Sequence, residues 1–253
     1  MAIIIEKVTE VKHWSDKTFT FKTTRKPGMR FKNGEFVMMG LTHEGKNIIR
    51  AYSVASANHE EFLEWLSIKV DDGELTSKLQ NLKVGDEVIM NDKATGTLVI
   101  DYLLPGRNLY LVATGTGLAP FLSIINDPET YENFDKVILT HTVQHPDELV
   151  YREELESFNT EKEFFTLGKF QYFNTLTKAD WPRQGRITKW LKEGTLWPAL
   201  GTETFDSKLD RVMICGSMGL NEDVTGWLES VGAKEGNTSI QGEYVVEKAF
   251  VTK

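Results

Sequence analysis

The chain has 253 residues, 40% of them hydrophobic and 26% charged, with a formal net charge of −8 at pH 7. That is enough to bury one large core or two modest ones, and too acidic for a general nucleic-acid binder, which needs a basic footprint for phosphates. A single cysteine, Cys215, excludes an internal disulfide, a four-cysteine zinc site and a cysteine-ligated iron-sulfur cluster built by this chain alone, so any redox chemistry needs another carrier and no metal site is expected.

The start of the chain turns charged after Ala2-Ile3-Ile4-Ile5, too soon for the apolar core of a signal peptide, and no later run reaches the length of a membrane span. The expectation is a cytoplasmic protein without a membrane partner. Residues 1–102 then read as short strands rich in β-branched and aromatic residues: Ile3 to Val11, Lys17 to Thr23, Glu35 to Leu41, Ile48 to Ser56, Phe62 to Val70 and Glu87 to Asn91. They are broken at Pro27-Gly28, Asn33-Gly34, Asp72-Gly73 and Val84-Gly85-Asp86. Such a succession predicts a small antiparallel β-barrel. One helix interrupts it, over Leu75 to Leu82, where Leu75, Leu79 and Leu82 keep helical spacing.

Leu103-Leu104-Pro105-Gly106-Arg107-Asn108 reads as a joint, and the grammar changes after it. Strands predicted at Leu109–Ala113, Val137–Val143, Lys169–Thr175 and Arg211–Cys215 alternate with helices at Pro120–Ile125, Glu148–Phe158, Arg186–Lys192 and Leu220–Val231. That order gives a parallel sheet with helices on its faces. The fold class is thus two-domain: a β-barrel over 1–102, then an α/β parallel-sheet nucleotide-binding domain over 103–253, ending in an extended apolar tail.

The stretch Leu109-Tyr110-Leu111-Val112-Ala113-Thr114-Gly115-Thr116-Gly117-Leu118-Ala119-Pro120 is a buried strand, a glycine turn and a helix start. Glycines there let the backbone take positive φ and let a ligand approach, and free N–H groups of a first helical turn attract phosphate. Pro120 stands where a Rossmann fingerprint has its third glycine, so the motif is a variant, and taken alone a plain turn reads it as well as a phosphate site. In the first half, Arg50-Ala51-Tyr52-Ser53 combines a bidentate cation, an aromatic face and a hydroxyl, while Thr76 and Ser77 offer hydroxyls and N–H groups; together they suit a ring joined to a diphosphate. Each has an ordinary alternative: Tyr52 as strand packing, Arg50 as a surface ion pair, Thr76 as a helix cap. Cys215-Gly216-Ser217 closes the fourth strand of the α/β half, where open sheets bind ligands, and Cys215 either faces that crevice or is a buried structural thiol.

Taken together, Arg50-x-Tyr52-Ser53, Gly73-x-Leu75-Thr76-Ser77, Thr114 to Pro120, Cys215-Gly216-Ser217 and the ending Val246-Glu247-Lys248-Ala249-Phe250-Val251 resemble, in order and over nearly the whole chain, the bacterial type of the ferredoxin-NADP reductases. The resemblance implies a flavoprotein with FAD on the barrel and NADP(H) on the α/β domain. It implies Arg50 and Ala51 at the FAD pyrophosphate, Tyr52 stacked on the flavin, Ser53 beside its N5, Ser67, Ile68, Lys69 and Val70 along the ribityl chain, and Leu75, Thr76 and Ser77 in the pyrophosphate loop. Thr116 is implied at both cofactors, Cys215, Gly216, Ser217 and Glu247 at the nicotinamide, and Ala249 and Phe250 over the flavin's other face. Ser53, Cys215 and Glu247 are the implied catalytic set. Hydride transfer then requires only that the reacting atoms come to about 3–3.5 Å, without a covalent protein intermediate.

For the nucleotide, Val143-Gln144 lacks the acid that marks an NAD site, which points to NADP. The 2′-phosphate would fall to Gln144, Thr177, Lys178 and Arg186, of which Gln144 and Lys178 depart from the arginines common in the family. The expectation is a preference for NADPH by a reduced margin. For the acceptor, the resemblance implies ferredoxin or flavodoxin, for which Lys22, Arg25, Lys26, Arg30 and Lys32 are a candidate docking cluster, and a monomer is expected. The alternative is an electron-transfer subunit of a larger NAD(P)H-dependent complex.

Overall fold

The structure is a computed structural model and describes residues 2–158, 166 and 168–247; Lys248, Ala249 and Phe250 lie outside the described residues. Contacts gather the chain into two units, Met1–Gly96 with Ala119–Asn126, and Thr97–Leu118 with Asp127–Lys253.

The first unit is an antiparallel sheet of β1 (Ile3–His13), β2 (Thr18–Thr24), β3 (Phe36–His43), β4 (Lys46–Ser53), β5 (Phe62–Ile68) and β6 (Glu87–Asn91), in the order β4-β3-β6-β1-β2-β5. The succession of short strands predicts a small antiparallel barrel, and the sheet is an antiparallel half-barrel of those strands. The β3–β4 hairpin turns on Glu44 and Gly45, both at positive φ (49° and 75°), the conformation whose twist matches two antiparallel strands. One face carries the core, with Phe19, Phe21, Val37, Met39, Leu63 and Trp65 fully buried. The predicted helix over Leu75 to Leu82 contracts to α1 (Thr76–Leu79), yet Leu75, Leu79 and Leu82 all reach this core, so the apolar spacing was a packing signal more than a measure of helix length. A second helix, α2 (Ala119–Ile125), is buried along its whole length and is tied to this unit by Ser123, whose hydroxyl donates to Asn33 Oδ1 (2.9 Å) and accepts from the Gly34 N–H (3.2 Å).

The second unit is a parallel sheet of β7 (Asn108–Thr114), β8 (Lys136–Val143), β9 (Phe170–Leu176), β10 (Arg211–Cys215) and β11 (Tyr244–Glu247), ordered β11-β10-β7-β8-β9. β7 and the first half of β8 read as apolar runs, as strands buried on both faces do, while the second half of β8 carries Thr140, His141 and Thr142 buried among them; every residue of β10 is buried. Around it lie α3 (Pro128–Asn133), α4 (Arg152–Ser157), α5 (Ile187–Lys192), α6 (Leu196–Leu200) and α7 (Met218–Ser230). α3 and α6 were not predicted; α6 is five residues long and contains Pro198. The helix expected from Glu148 starts only at Arg152, because Pro146–Glu148 form a 3-10 turn and Tyr151 takes a left-handed φ of 58°. The extended tail contributes β11, whose register with β10 sets Glu247 beside Cys215.

Candidate functional site

In the first unit the outer strands β4 and β5 share no backbone ladder among the described residues, and side chains bridge them. The Ser67 hydroxyl donates to the Ile68 carbonyl (3.3 Å), so the Tyr52 hydroxyl, 3.1 Å from Ser67 Oγ, is the donor in that pair. Burial pushes the Tyr52 phenol up, opposed by the Ser67 bond and by Arg50, and the phenol stays protonated. Next to it, Ser53 Oγ is fully buried and has no hydrogen-bond partner among the described residues. A buried hydroxyl left so costs about 1–3 kcal/mol, which a polar ligand atom would recover.

The neighbouring positions differ in what they offer. Arg50 is exposed, pairs with Glu74 and donates to the Ile49 carbonyl (2.8 Å). Ile68 and Val70 are exposed apolar residues, 43% and 40%, on either side of Lys69, whose ammonium donates to the Ser15 carbonyl (2.6 Å). The loop from Val70 to Ser77 closes on itself: the Ser77 N–H donates to the Gly73 carbonyl (3.2 Å), and a Cβ at Gly73 would fall onto Thr76 Oγ1. Leu75 points into the core, so only its backbone is free to meet a ligand. Of the basic cluster, Arg25 donates to the carbonyls of Asn58, Glu60 and Met29 and packs over Phe31, and Lys22 pairs with Glu10 (3.0 Å).

In the second unit two turns meet at the carboxyl ends of β7 and β10. Gly115 takes a φ of 53° with open space at its Cβ, while Gly117 has no such need; a Cβ there would fall onto the Cys215 carbonyl. Gly216 is equally confined, against Thr114 Oγ1. That hydroxyl accepts from the Ser217 N–H (2.9 Å), and Ser217 Oγ caps α7 at the Leu220 N–H (3.3 Å). Thr116 is half-buried on the first turn. Cys215 is wholly buried; desolvation, then the Glu247 carboxylate, push its thiol well above the ordinary range, so it is a neutral thiol. Asn221 on α7 donates through Nδ2 to the Glu247 carbonyl (2.9 Å), which fixes its amide and leaves Oδ1 buried without a partner among the described residues.

At the far end of the same sheet, backbone bonds carry the β8–β9 ladder past its strands: the Thr177 N–H donates to Val143 O (3.0 Å) and the Lys178 N–H to Gln144 O (3.1 Å). The Gly185 N–H reaches Leu176 O (2.8 Å), bringing Arg186 to the same edge. Val143 is buried, and Gln144, Thr177, Lys178 and Arg186 are exposed. Neither Lys178 nor Arg186 has an ion-pair partner among the described residues.

Residues 3–95 match the model of the oxidoreductase FAD-binding domain and residues 111–226 that of the oxidoreductase NAD-binding domain. Ferredoxin-NADP reductase A of Sorangium cellulosum is 49% identical over 97% of this chain and 89% of its own length, and the ferredoxin-NADP reductase of Pseudomonas aeruginosa 48% identical over 98% of each. The chain belongs to the ferredoxin-NADP reductase family. A solved structure of a family member from Neisseria gonorrhoeae, with bound FAD and NADP, superposes with a TM-score of 0.91 at 31% identity, covering 99% of this chain and all of that one.

Within the family frame, the buried unpartnered hydroxyl at Ser53 and the flat, protonated Tyr52 beside it fit a flavin's polar ring edge and face. Three residues that shape the crevice were not singled out from the sequence: Thr114 as the clip on Ser217, Asn221 as the tie to Glu247, and His141, whose Nε2 lies 2.9 Å from the Gly115 carbonyl. Thr114 stood inside the quoted motif, and its neighbour Gly115 is the signal that would have found it. His141 and Asn221 sit inside an ordinary strand and helix, where spacing carries no sign of their partners.

Proposed function

We propose that the protein is an FAD-dependent ferredoxin/flavodoxin-NADP+ reductase, moving hydride between NADP(H) and flavin N5 and single electrons between the flavin and ferredoxin or flavodoxin. The observation that carries this reading is near-half identity over almost the whole chain to reductases of that name. Residues 1–102 are read as the FAD-binding barrel and 103–253 as the NADP(H)-binding domain. We read the protein as a cytoplasmic monomer; among the described residues no helix is long and apolar enough to cross a membrane.

Bound FAD supplies a centre that takes two electrons as hydride and releases them singly. The chain's part is to hold and orient. Tyr52 offers its ring face while its hydroxyl is held by Ser67, so the ring is fixed before any ligand arrives. Ser53 Oγ is the hydroxyl assigned to flavin N5. Arg50, once released from Glu74, and the backbone of Leu75, Thr76 and Ser77 are assigned to the pyrophosphate, with Ala51 and Ser67 to Val70 lining the rest. In the α/β unit, Gly117 and Gly216 leave room for close backbone approach, and Thr116 and Ser217 present the turn to the nucleotide. Cys215 as a neutral thiol offers a small soft contact to the nicotinamide and no nucleophile, and Glu247 the charge behind it. Val143, Gln144, Thr177, Lys178 and Arg186 are assigned to the adenosine 2′-phosphate end. Ala249 and Phe250 retain their implied place over the flavin.

The test is anaerobic. Adding NADPH to the yellow protein should bleach its visible absorbance, NADH should do so more slowly, and oxidised ferredoxin or flavodoxin should restore the colour. A colourless protein, or a yellow one that neither nucleotide bleaches, would overturn the assignment.

A further inference from the structure

β8 carries a titratable side chain into the interior of the parallel sheet, and none of the assignments above uses it. His141 is wholly buried, between Thr140 and Thr142, with Ala113 of β7 and Asn174 of β9 as its register partners. Its ring is tied at both nitrogens: Nε2 lies 2.9 Å from the Gly115 carbonyl oxygen and Nδ1 3.2 Å from the Tyr172 hydroxyl. A carbonyl oxygen only accepts, so Nε2 carries the proton. In a neutral ring Nδ1 then holds a lone pair, and the Tyr172 hydroxyl is the donor to it. The hydrogen bonds run one way, from Tyr172 through the imidazole to the glycine turn.

The consequence lies in the peptide that follows. The Gly115 carbonyl and the Thr116 N–H belong to one planar trans peptide and point in opposite directions. Thr116 stands in the first turn of the 3-10 segment Gly115–Leu118, so its N–H has no partner within that turn. Pinning the carbonyl to a ring buried in the sheet turns this N–H away from the sheet.

We propose that His141, as the neutral Nε2–H tautomer, is a positioning residue of the glycine turn: it holds the Gly115 carbonyl inward and so presents the Thr116 N–H outward, to an acceptor oxygen of the pyridine nucleotide. This rests on the reading of the crevice as the nucleotide site. Imidazole suits the task because its two nitrogens span from β9 to the turn across β8.

The experiment uses the full chain with its flavin. In protein labelled with ¹⁵N-histidine, the His141 signals, assigned by their loss in His141→Gln, should report Nε2–H and stay unchanged from pH 5.5 to 8. The Nδ1–H tautomer, or titration in that range, overturns the proposal. NADP+ affinity, read from the flavin difference spectrum, should fall about tenfold in His141→Leu, the worth of one hydrogen bond, with flavin content unchanged. It should return to near wild type in His141→Gln, whose amide reaches the Nε2 position. If the leucine variant does not fold, His141→Asn replaces it, because its amide stops near Nδ1 and leaves the carbonyl unheld. Equal affinity in the apolar or shortened variant and in wild type overturns the proposal. Wild-type protein that binds no NADP+ at all would instead remove the nucleotide reading, while the tautomer is decided by the labelled spectrum alone.

Discussion

The two ends of the α/β crevice are built on opposite principles. At the Gly115 and Ser217 turns the chain closes on itself: Gly117 against the Cys215 carbonyl, Thr114 on the Ser217 N–H, His141 on the Gly115 carbonyl. At the Gln144–Arg186 end the backbone ladder is equally regular, but the side chains of Gln144, Lys178 and Arg186 stand in solvent. On the proposed reading as a nucleotide site, the first region would recognise by where the backbone is allowed to be, the second by which side chains are present. Substitutions should therefore affect folding and binding together at the turns, and specificity alone at the open end.

The largest effect that would break this contrast is at Gly117. A methyl there has no space against the Cys215 carbonyl and the Gly216 backbone, so Gly117→Ala should destabilise the protein by about 3 kcal/mol, the upper part of the range for overpacking, and abolish NADP+ binding. Gly115→Ala meets open space and only the left-handed backbone, which costs about 1–2 kcal/mol. Denaturant unfolding and nucleotide titration of the pair check the order; equal losses would mean that close approach is not what Gly117 supplies.

The next effect is one of pH. Burial holds the His141 pKa down at about 4, against about 6.5 for a free histidine, while Glu156, Arg152 and Arg183 face Tyr172 on its other side. The folded state thus binds fewer protons than the unfolded chain between those values. This contribution to stability is complete above pH 6.5 and is lost as pH falls toward 4, by about 3 kcal/mol at most. The stability of wild type relative to His141→Leu should narrow over that window. A constant difference would place the ring in a wetter setting than the closed turn implies.

The same contrast explains what could be read from the sequence. Gly115, Gly117 and Pro120 are legible because the glycines allow a positive φ or a close approach that other residues do not and the proline fixes the first helical turn, and the alternation of strands and helices gave the parallel sheet. His141 is illegible because its partners come from register: that Tyr172 of β9 and the Gly115 turn flank it depends on a pairing that apolar runs do not encode. β11 is legible as strand character in the extended tail, but its partner is not: four residues suffice for it once β10 is there to pair. α3 was readable, since Asp127 before Pro128-Glu129 is a cap with proline at the first helical position, and Asp127 Oδ1 does accept from the Glu129 N–H (3.0 Å). Ser53 is legible by its place in a motif, but that its hydroxyl is buried without a partner among the described residues is a property of packing alone.

At the open end, Gln144→Arg adds a charge-assisted hydrogen bond worth about 1.5–3 kcal/mol, so the ratio of kcat/KM for NADPH over NADH should rise about ten- to a hundredfold, and Arg186→Ala should lower it similarly. Wild type should itself prefer NADPH, and an NADH advantage would refute the assignment of this edge. Neither variant should move stability beyond about 0.5 kcal/mol, since both positions are exposed. Back at the closed end, Thr114→Val removes only the acceptor for the Ser217 N–H and should cost about 1 kcal/mol with no change in nucleotide preference.

The smallest effect extends the open principle to the antiparallel unit. Ser53 Oγ is buried with no partner among the described residues, so in the flavin-free protein Ser53→Ala takes away a desolvated polar atom and no hydrogen bond. Stability should stay level or rise by up to about 1 kcal/mol, the reverse of what truncating a satisfied buried hydroxyl does. In the loaded protein the sign should invert, the variant holding FAD less tightly, because the ligand supplies the partner that the described residues do not. Paired melts of flavin-free and flavin-loaded protein, wild type against Ser53→Ala, read both signs at once. Destabilisation of the flavin-free protein would show that the hydroxyl already has a partner within the chain, and the seam between β4 and β5 would then be closed in the same sense as the glycine turns.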